Sequence, residues 1–181
     1  KNGNIISFSP PKSIPYDEFK NTKDISKVEE FVEGTMIHCF YTDGQWKIAT
    51  RSVIGGDQKF YDGKKNFKKM FFEAIEQTVK NFDTFDKNYS YIFILQHPEN
   101  RIVANFTEPN LVLLKMYKKD GTALKEANFY ERPFDDFRLH FDVPRKFHLA
   151  TFEEIEKSVK EQPWDFVGFM IYSKDGTRTK I

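Results

Sequence analysis

Glu30-Phe31-Val32-Glu33-Gly34-Thr35-Met36-Ile37, running on to Thr42, is the stretch that decides how this chain is read. From Thr35 to Thr42 it is rich in β-branched, aromatic and apolar residues, which predicts a strand. Thr42-Asp43-Gly44 is a turn signal, and Gln45 to Arg51 predicts the returning strand of a hairpin. Upstream, Pro10-Pro11 closes a polar N-terminal segment, so residues 1–24 are expected to lead into a single domain over 25–181. Downstream, Gly55-Gly56 and Asp62-Gly63 punctuate a loop. Lys64 to Phe82 has helical period, with Phe67, Met70, Phe71, Ala74, Ile75, Val79 and Phe82 on one stripe.

Strands are expected at Ser90–Gln96, Arg101–Asn105 and Asn110–Tyr117. Lys118-Lys119-Asp120-Gly121 reads as a turn, with Thr122–Glu131 pairing back. Thr151-Phe152-Glu153-Glu154 is a capping box that opens a short helix with Phe152, Ile155 and Val159 inward, ended by Pro163. Phe166–Tyr172 is the last clear strand, and Lys174-Asp175-Gly176 turns it into Thr177–Ile181. The order of hairpin, helix, strands, helix and hairpin predicts an α+β fold with mainly antiparallel sheet.

Composition narrows the function classes. The 181 residues carry 28 Lys and Arg against 27 Asp and Glu, which excludes a histone-like polycation but not a local basic patch. Twenty Phe and 17% aromatic residues argue against disorder, although the mean hydropathy is −0.61. Lys exceeds Arg, and Asn, Ile and Tyr are also plentiful, so AT-rich codons account for most of the Phe excess. No stretch approaches the ~18 apolar residues of a membrane span. The lone Cys39 excludes an internal disulfide and fits a reducing, cytoplasmic setting. Lys1-Asn2-Gly3-Asn4 leads into no apolar h-region and there is no initiator Met, so a processed product or a piece of something larger is expected.

The usual catalytic signatures are missing. His38, His97, His140 and His148 fall in no zinc-ligand spacing, so no metal site is assigned. There is no P-loop, no GxGxxG and no nucleophile elbow, and Cys39 lies mid-strand. His97 beside Pro98 reads as a strand-end residue with a satisfied hydrogen bond rather than as a catalyst.

Three segments carry more together. They are Glu30–Ile37 with its hairpin to Arg51-Ser52, then Tyr91–Val103, then Phe166–Ile171 followed by Thr177–Lys180. In order and spacing they resemble motifs I/Ia, III/IIIa, IV and the start of V of the covalent nucleotidyltransferases. That superfamily holds RNA ligases, DNA ligases and mRNA capping enzymes. The likeness is closest to the phage-type RNA ligase 1 branch and to ligase-like proteins of large DNA viruses. Glu33-Gly34-Thr35-Met36-Ile37 and Gln96-His97-Pro98-Glu99-Asn100-Arg101-Ile102-Val103 carry most of it. The resemblance implies a nucleotidyltransferase fold, with antiparallel sheets and flanking helices around a cleft. It also implies ATP with Mg²⁺ as cofactors, RNA or nucleotide as partners, and a viral source with a virion-associated role among the possibilities.

In such enzymes a motif I lysine attacks the α-phosphate of ATP and forms a phosphoramidate. Carboxylates of motifs III and IV hold ribose and metal, and basic residues of Ia and V neutralise phosphate charge. Here Phe31 stands at the lysine position, and a phenyl ring has no lone pair to offer. The motif III carboxylate falls on Ile94, and the motif IV pair appears as Val167-Gly168. The resemblance thus implies a catalytically degenerate domain, a pseudoenzyme. Glu33, Thr35, Arg51, Gln96 and Lys180 remain as nucleotide-binding candidates, and a role as a protein-interaction or structural module stays open. The partner of Lys180 in motif V would fall beyond Ile181.

The alternative is an active ATP-dependent RNA ligase with a relocated lysine. Lys118-Lys119-Asp120-Gly121 matches Lys-x-Asp-Gly but lacks the apolar strand that should follow. Lys27 lies four strand residues from Phe31, roughly 13 Å away at ~3.3 Å per residue. Finally, Lys64, Lys65, Lys68 and Lys69 crowd the expected first turns of a helix, where the macrodipole prefers acids. They are read either as an RNA phosphate-contacting patch or as a solvated face. Arg132, Arg138, Arg145 and Lys146 are read as surface.

Overall fold

The computed structural model describes residues 5–59, 63–78, 85–124 and 141–181. It shows an α+β chain built on two four-stranded antiparallel sheets, with three helices among the described residues. These divide into two compact units, one of residues 1–9 and 34–143 and the other of residues 10–33 and 144–181.

The first unit holds β2 (Thr35–Thr42), β3 (Gln45–Ala49), α2 (Phe67–Thr78), β4 (Tyr89–Gln96) and β5 (Asn110–Lys118), with strand order β3-β2-β4-β5. Alternation sorts the strand residues onto two faces. Ile37, Cys39, Tyr91, Phe93, Leu95, Leu111 and Leu113 join one buried cluster with Phe67, Met70, Phe71, Ala74 and Ile75 of α2. At about 1.5–3 kcal/mol for each large apolar side chain buried, this stripe is the main reason α2 stays helical. The opposite face carries His38, Phe40, Ile92, Ile94 and Val112, all buried.

The second unit holds α1 (Tyr16–Thr22), β1 (Lys27–Glu30), β6 (Lys146–Phe147), α3 (Phe152–Glu161), β7 (Phe169–Tyr172) and β8 (Arg178–Lys180), with strand order β6-β1-β7-β8. Its core is Phe19, Val28, Ile155, Phe169 and Ile171. The expected capping box of α3 is present in full. Thr151 Oγ1 accepts from the Glu154 N–H, and the Glu154 carboxylate accepts from the Thr151 N–H.

Several expectations need correction. Arg101–Asn105 is not a strand but a bend, with Ile102 54% and Val103 59% exposed. Their β-branched side chains suit a sheet, but they lie in no strand among the described residues. The expected helix start at Lys64 moves to Phe67, because Asn66 caps it by accepting the Lys69 N–H at 2.8 Å. Lys64 and Lys65 therefore lie outside α2. Phe166–Gly168 precedes the last strand pair instead of opening it. One helix, α1, arises where a polar entry segment was read, and Lys27–Glu30, spaced as strand residues in the sequence reading, form the strand β1. The Val79 and Phe82 positions of the helical stripe, residues 125–131 of the expected return strand, and Arg132, Arg138 and His140 lie outside the described residues. Among the described residues no helix is long and apolar enough to cross a membrane.

Candidate functional site

In the second unit, β1 delivers Phe31 to the end of β7. The Phe31 N–H donates to the Gly168 carbonyl at 2.8 Å. Phe169 and Ile181 then exchange backbone hydrogen bonds at 2.9 and 3.1 Å. Gly168 must be glycine, because its φ is +138° and a Cβ would collide with the Ile181 carbonyl oxygen. This pairing sets Lys180 beside Phe31, with its Nζ 5.4 Å from the ring centroid, within cation–π range. Phe31, Gly168 and Lys180 thus form one cluster. Val167 does not fill it, being 38% exposed, and Glu33 is buried. Lys27 is held elsewhere on β1, with its Nζ 2.6 Å from Glu29 Oε1 and 4.3 Å from the Tyr172 ring centroid.

In the first unit, Gly34 adopts φ +141°, and a Cβ there would strike the Leu95 carbonyl oxygen and Ile94 Cγ2. Ile94 is therefore a close-packed neighbour of the Gly34-Thr35 backbone. The Thr35 hydroxyl lies 3.0–3.1 Å from both amide atoms of the fully buried Asn100. Asn100 Nδ2 also donates to the Leu95 carbonyl at 3.2 Å, and its backbone N–H donates to the His97 carbonyl. Asn100 thus ties the start of β2 to the loop after β4.

His97 is 2% exposed, and its partners fix its tautomer. Nδ1 accepts the Glu99 N–H at 3.0 Å, so Nε2 carries the proton and donates to Glu73 Oε2 at 2.9 Å. With both ring nitrogens engaged, His97 is a structural residue. Lys65 completes the network, 2.7 Å from Glu73 Oε2 and 3.1 Å from Glu99 Oε1. Hydrogen bonding from the Lys65 ammonium holds both carboxylates below their ordinary range, and the same contacts raise Lys65.

Arg51 lies just past β3, exposed, and forms no hydrogen bond or ion pair with a described residue. It lines a pocket of about 310 Å³ whose polar walls are Ser7, Ser9, His38 and Thr50. Ser7 Oγ lies 2.9 Å from His38 Nδ1 and Ser9 Oγ 3.3 Å from Nε2, and burial pushes the His38 pKa down. Gln96 lines a different pocket of about 460 Å³, with Gln77, Asn105 and Asn110. Asn110 Nδ2 donates to Gln96 Oε1 at 3.3 Å. The linings of these two pockets share no residue. Among the described residues no three His, Cys, Asp or Glu side chains converge as metal ligands would.

Solved structures match this architecture. A Naegleria gruberi RNA ligase mutant with ATP and Mn superposes with a TM-score of 0.66 and 10% identity, covering 96% of this chain and 55% of its own. A second, with AMP and Mn, gives 0.65 at 11% identity, covering 97% and 55%. The chain carries an RNA-ligase-like nucleotidyltransferase fold. Among curated proteins, an RNA ligase of Rhodothermus phage RM378 is 28% identical over 103 residues, 52% of this chain and 23% of that protein. The immediate-early protein ICP-46 of Frog virus 3 is 26% identical over 110 residues, 51% of this chain and 28% of that protein. The matched segments thus span about a quarter of these relatives, and the chain about half of the Naegleria ligase. No family model matches the chain.

Within the ligase-like fold, Lys118–Gly121 is a β-turn, with the Gly121 N–H donating to the Lys118 carbonyl, and not a strand-leading motif. Lys64, Lys68 and Lys69 are exposed, whereas Lys65 is committed to Glu73 and Glu99. Asn100 was visible in sequence only as part of the Gln96–Val103 run, with nothing to mark it as the buried link to Thr35. The Ser7 and Ser9 contacts to His38 had no local signal at all.

Proposed function

We propose that this chain is a catalytically degenerate RNA-ligase-like nucleotidyltransferase domain that retains reversible nucleotide or RNA-end binding. One observation carries the reading. Lys180, the basic residue expected at motif V, packs with its Nζ 5.4 Å from the centroid of the Phe31 ring, and Phe31 is the residue that the motif resemblance aligns with the attacking lysine. The residues present do not fit covalent nucleotide chemistry, since a phenyl carbon cannot displace pyrophosphate. The two rescue lysines do not help. Lys27 is paired with Glu29, and the Lys118-Lys119 pair sits at a turn.

Binding is a separate matter. Arg51 has no counter-charge among the described residues and borders a pocket with hydroxyl and imidazole walls, which suits a phosphate and a planar ring. The Naegleria neighbours solved with ATP and Mn, and the phage and viral relatives, support nucleotide with a divalent cation as the ligand class in a viral setting. Equilibrium dialysis with labelled ATP and Mn²⁺ or Mg²⁺ tests this. Reversible binding that Arg51→Ala weakens about tenfold or more is expected, a loss of about 1.4 kcal/mol. Absence of binding overturns retained recognition, and label that survives denaturation overturns degeneracy.

A further inference from the structure

Ile5–Ser9 joins no helix or strand, yet it packs on the sheet of the first unit. Its anchor is His38. Ser7 Oγ lies 2.9 Å from Nδ1 and Ser9 Oγ 3.3 Å from Nε2, so one hydroxyl serves each ring nitrogen. Phe8, between them, packs on Tyr117 of β5 with ring centroids 5.9 Å apart. A Cβ on Gly121 would come within 2.8 Å of the Phe8 ring, so the glycine of the Lys118–Gly121 turn makes room for it. The register sets Phe40 opposite Ser90 and Ser90 opposite Tyr117, which puts Tyr117 on the same face as Phe40 and His38. The segment therefore reaches across that face from β2 to β5.

Only side chains fasten this strap. No backbone N–H or carbonyl of Ile5–Ser9 is hydrogen-bonded to a described residue. A segment held by two hydroxyl contacts and one ring belongs to the low-stability end of a fold, where local opening costs least. The histidine is the second observation. Phe40, Ile92, Ile94 and Val112 on its face are buried and apolar, and an apolar residue at position 38 would pack there without a polar group to satisfy. A buried imidazole whose partners among the described residues both come from a strap breaks that pattern, and such breaks mark use. Lys47 and Lys115 share the face, with Lys47 paired to Asp43 at 2.6 Å, and Arg51 lines the adjoining pocket. None of the described lining residues of that pocket is a carboxylate, so the pocket offers a His38 imidazolium no counter-charge among them.

We propose that Ile5–Ser9 is a releasable strap whose lock is the Ser7–His38–Ser9 clasp, and that mild acid opens it and uncovers the pocket beside Arg51. The strap supplies Ile6, Ser7 and Ser9 to the lining of that pocket of about 310 Å³, so its departure widens the way in. While the strap is closed, burial pushes the His38 pKa down. Once it lifts, the ring meets water and regains the ordinary value of about 6.5. The closed state therefore binds fewer protons. Its stability is complete above about pH 6.5 and is lost as pH falls below that value. Against a closed state that stays neutral, the open-to-closed ratio rises about tenfold between pH 7.5 and 5.5. The strap deepens the nucleotide reading by naming what controls access to that pocket, but it is tested on its own contacts, so absence of ATP binding leaves it standing.

The test is a pH titration of the isotope-labelled full chain by NMR, with no nucleotide added. The His38 ring nitrogens are expected to titrate below the ordinary histidine value. The Ser7, Phe8 and Ser9 amide signals should move with the same midpoint, towards those of the free peptide Ile5–Lys12. Ser7→Ala/Ser9→Ala and Phe8→Ala each loosen the strap and raise the His38 midpoint towards about 6.5. His38→Gln keeps hydrogen-bonding groups but cannot titrate, so the strap loses its response to acid. Trp46 packs on the α2 side of the sheet, and its emission checks that each variant stays folded. A His38 titration that leaves the strap signals in place overturns the proposal. So does a His38 midpoint that neither strap variant moves, or a His38→Gln chain whose strap still opens in acid.

Discussion

Replacing Asn100 tests whether a single buried amide holds the start of β2 to the loop after β4. Asn100 is fully buried, with Nδ2 3.2 Å from the Leu95 carbonyl and 3.0 Å from Thr35 Oγ1. Asn100→Ala removes two hydrogen bonds, each worth about 1 kcal/mol net, and leaves Thr35 short of a partner. A loss of about 2–3 kcal/mol follows. Asn100→Asp keeps the shape but places a carboxylate against the Leu95 carbonyl, an acceptor facing an acceptor. An unpaired buried charge costs about 3–5 kcal/mol, so at pH 7 this variant is the less stable of the two. The same burial and repulsion raise the pKa of the new carboxyl in the folded state. A raised carboxyl pKa means the folded state binds the extra proton, so the Asp deficit shrinks as pH falls towards 5. Trp46 packs against Tyr41, Phe85 and Tyr91 in the same unit, whereas Trp164 is 89% exposed. Urea titration by tryptophan emission therefore reports this unit. An Asn100→Ala variant within about 0.5 kcal/mol of the parent refutes the reasoning, as does an Asn100→Asp variant equal to it at pH 7 or unimproved at pH 5.

Gly168→Ala forces a side chain into φ +138° and against Ile181, so it costs about 1–3 kcal/mol from the backbone alone and loosens β7–β8; amide exchange at Phe169 and Ile181 should accelerate. Glu73 and Glu99 have pKa values depressed by Lys65, so their contribution is complete above the ordinary carboxylate value of 4.5. It is lost as pH falls below that point, and Lys65→Gln should remove this part of the acid dependence in a thermal-melt series from pH 6 to 3. Thr151→Ala breaks the α3 capping box and should cost about 1 kcal/mol in urea denaturation, with Thr151→Ser close to neutral.

The elements that were legible in sequence are those whose signals are local. The β2–β3 hairpin follows from Asp43-Gly44 between two apolar runs, the α2 stripe from its period, and the α3 start from its capping box. The missed α1 buries only Phe19 and is fastened to α3 through Tyr16 and Lys20, 2.9 and 2.6 Å from Glu156. Those partners lie 140 and 136 residues away, beyond any windowed pattern. Ile102 and Val103 misled because β-propensity cannot say whether a neighbouring strand exists. The family resemblance let Phe31, Ile94 and Val167 be read against its motifs from sequence, but not what those residues touch. The Lys180–Phe31 contact depends on the exchange of hydrogen bonds between Phe169 and Ile181. The ion pairing of Lys65 depends on Glu73 and Glu99 converging from a helix and a loop.

The most direct test of the account is the intact mass of the full chain after incubation with ATP and Mn²⁺ or Mg²⁺, followed by denaturation. On the proposed alignment of Phe31 with the nucleophile, and with Lys27 paired with Glu29, the account predicts an unchanged mass. A species heavier by one adenylyl group, removed by acid or hydroxylamine, would contradict it, and peptide mapping would then name the lysine that acts.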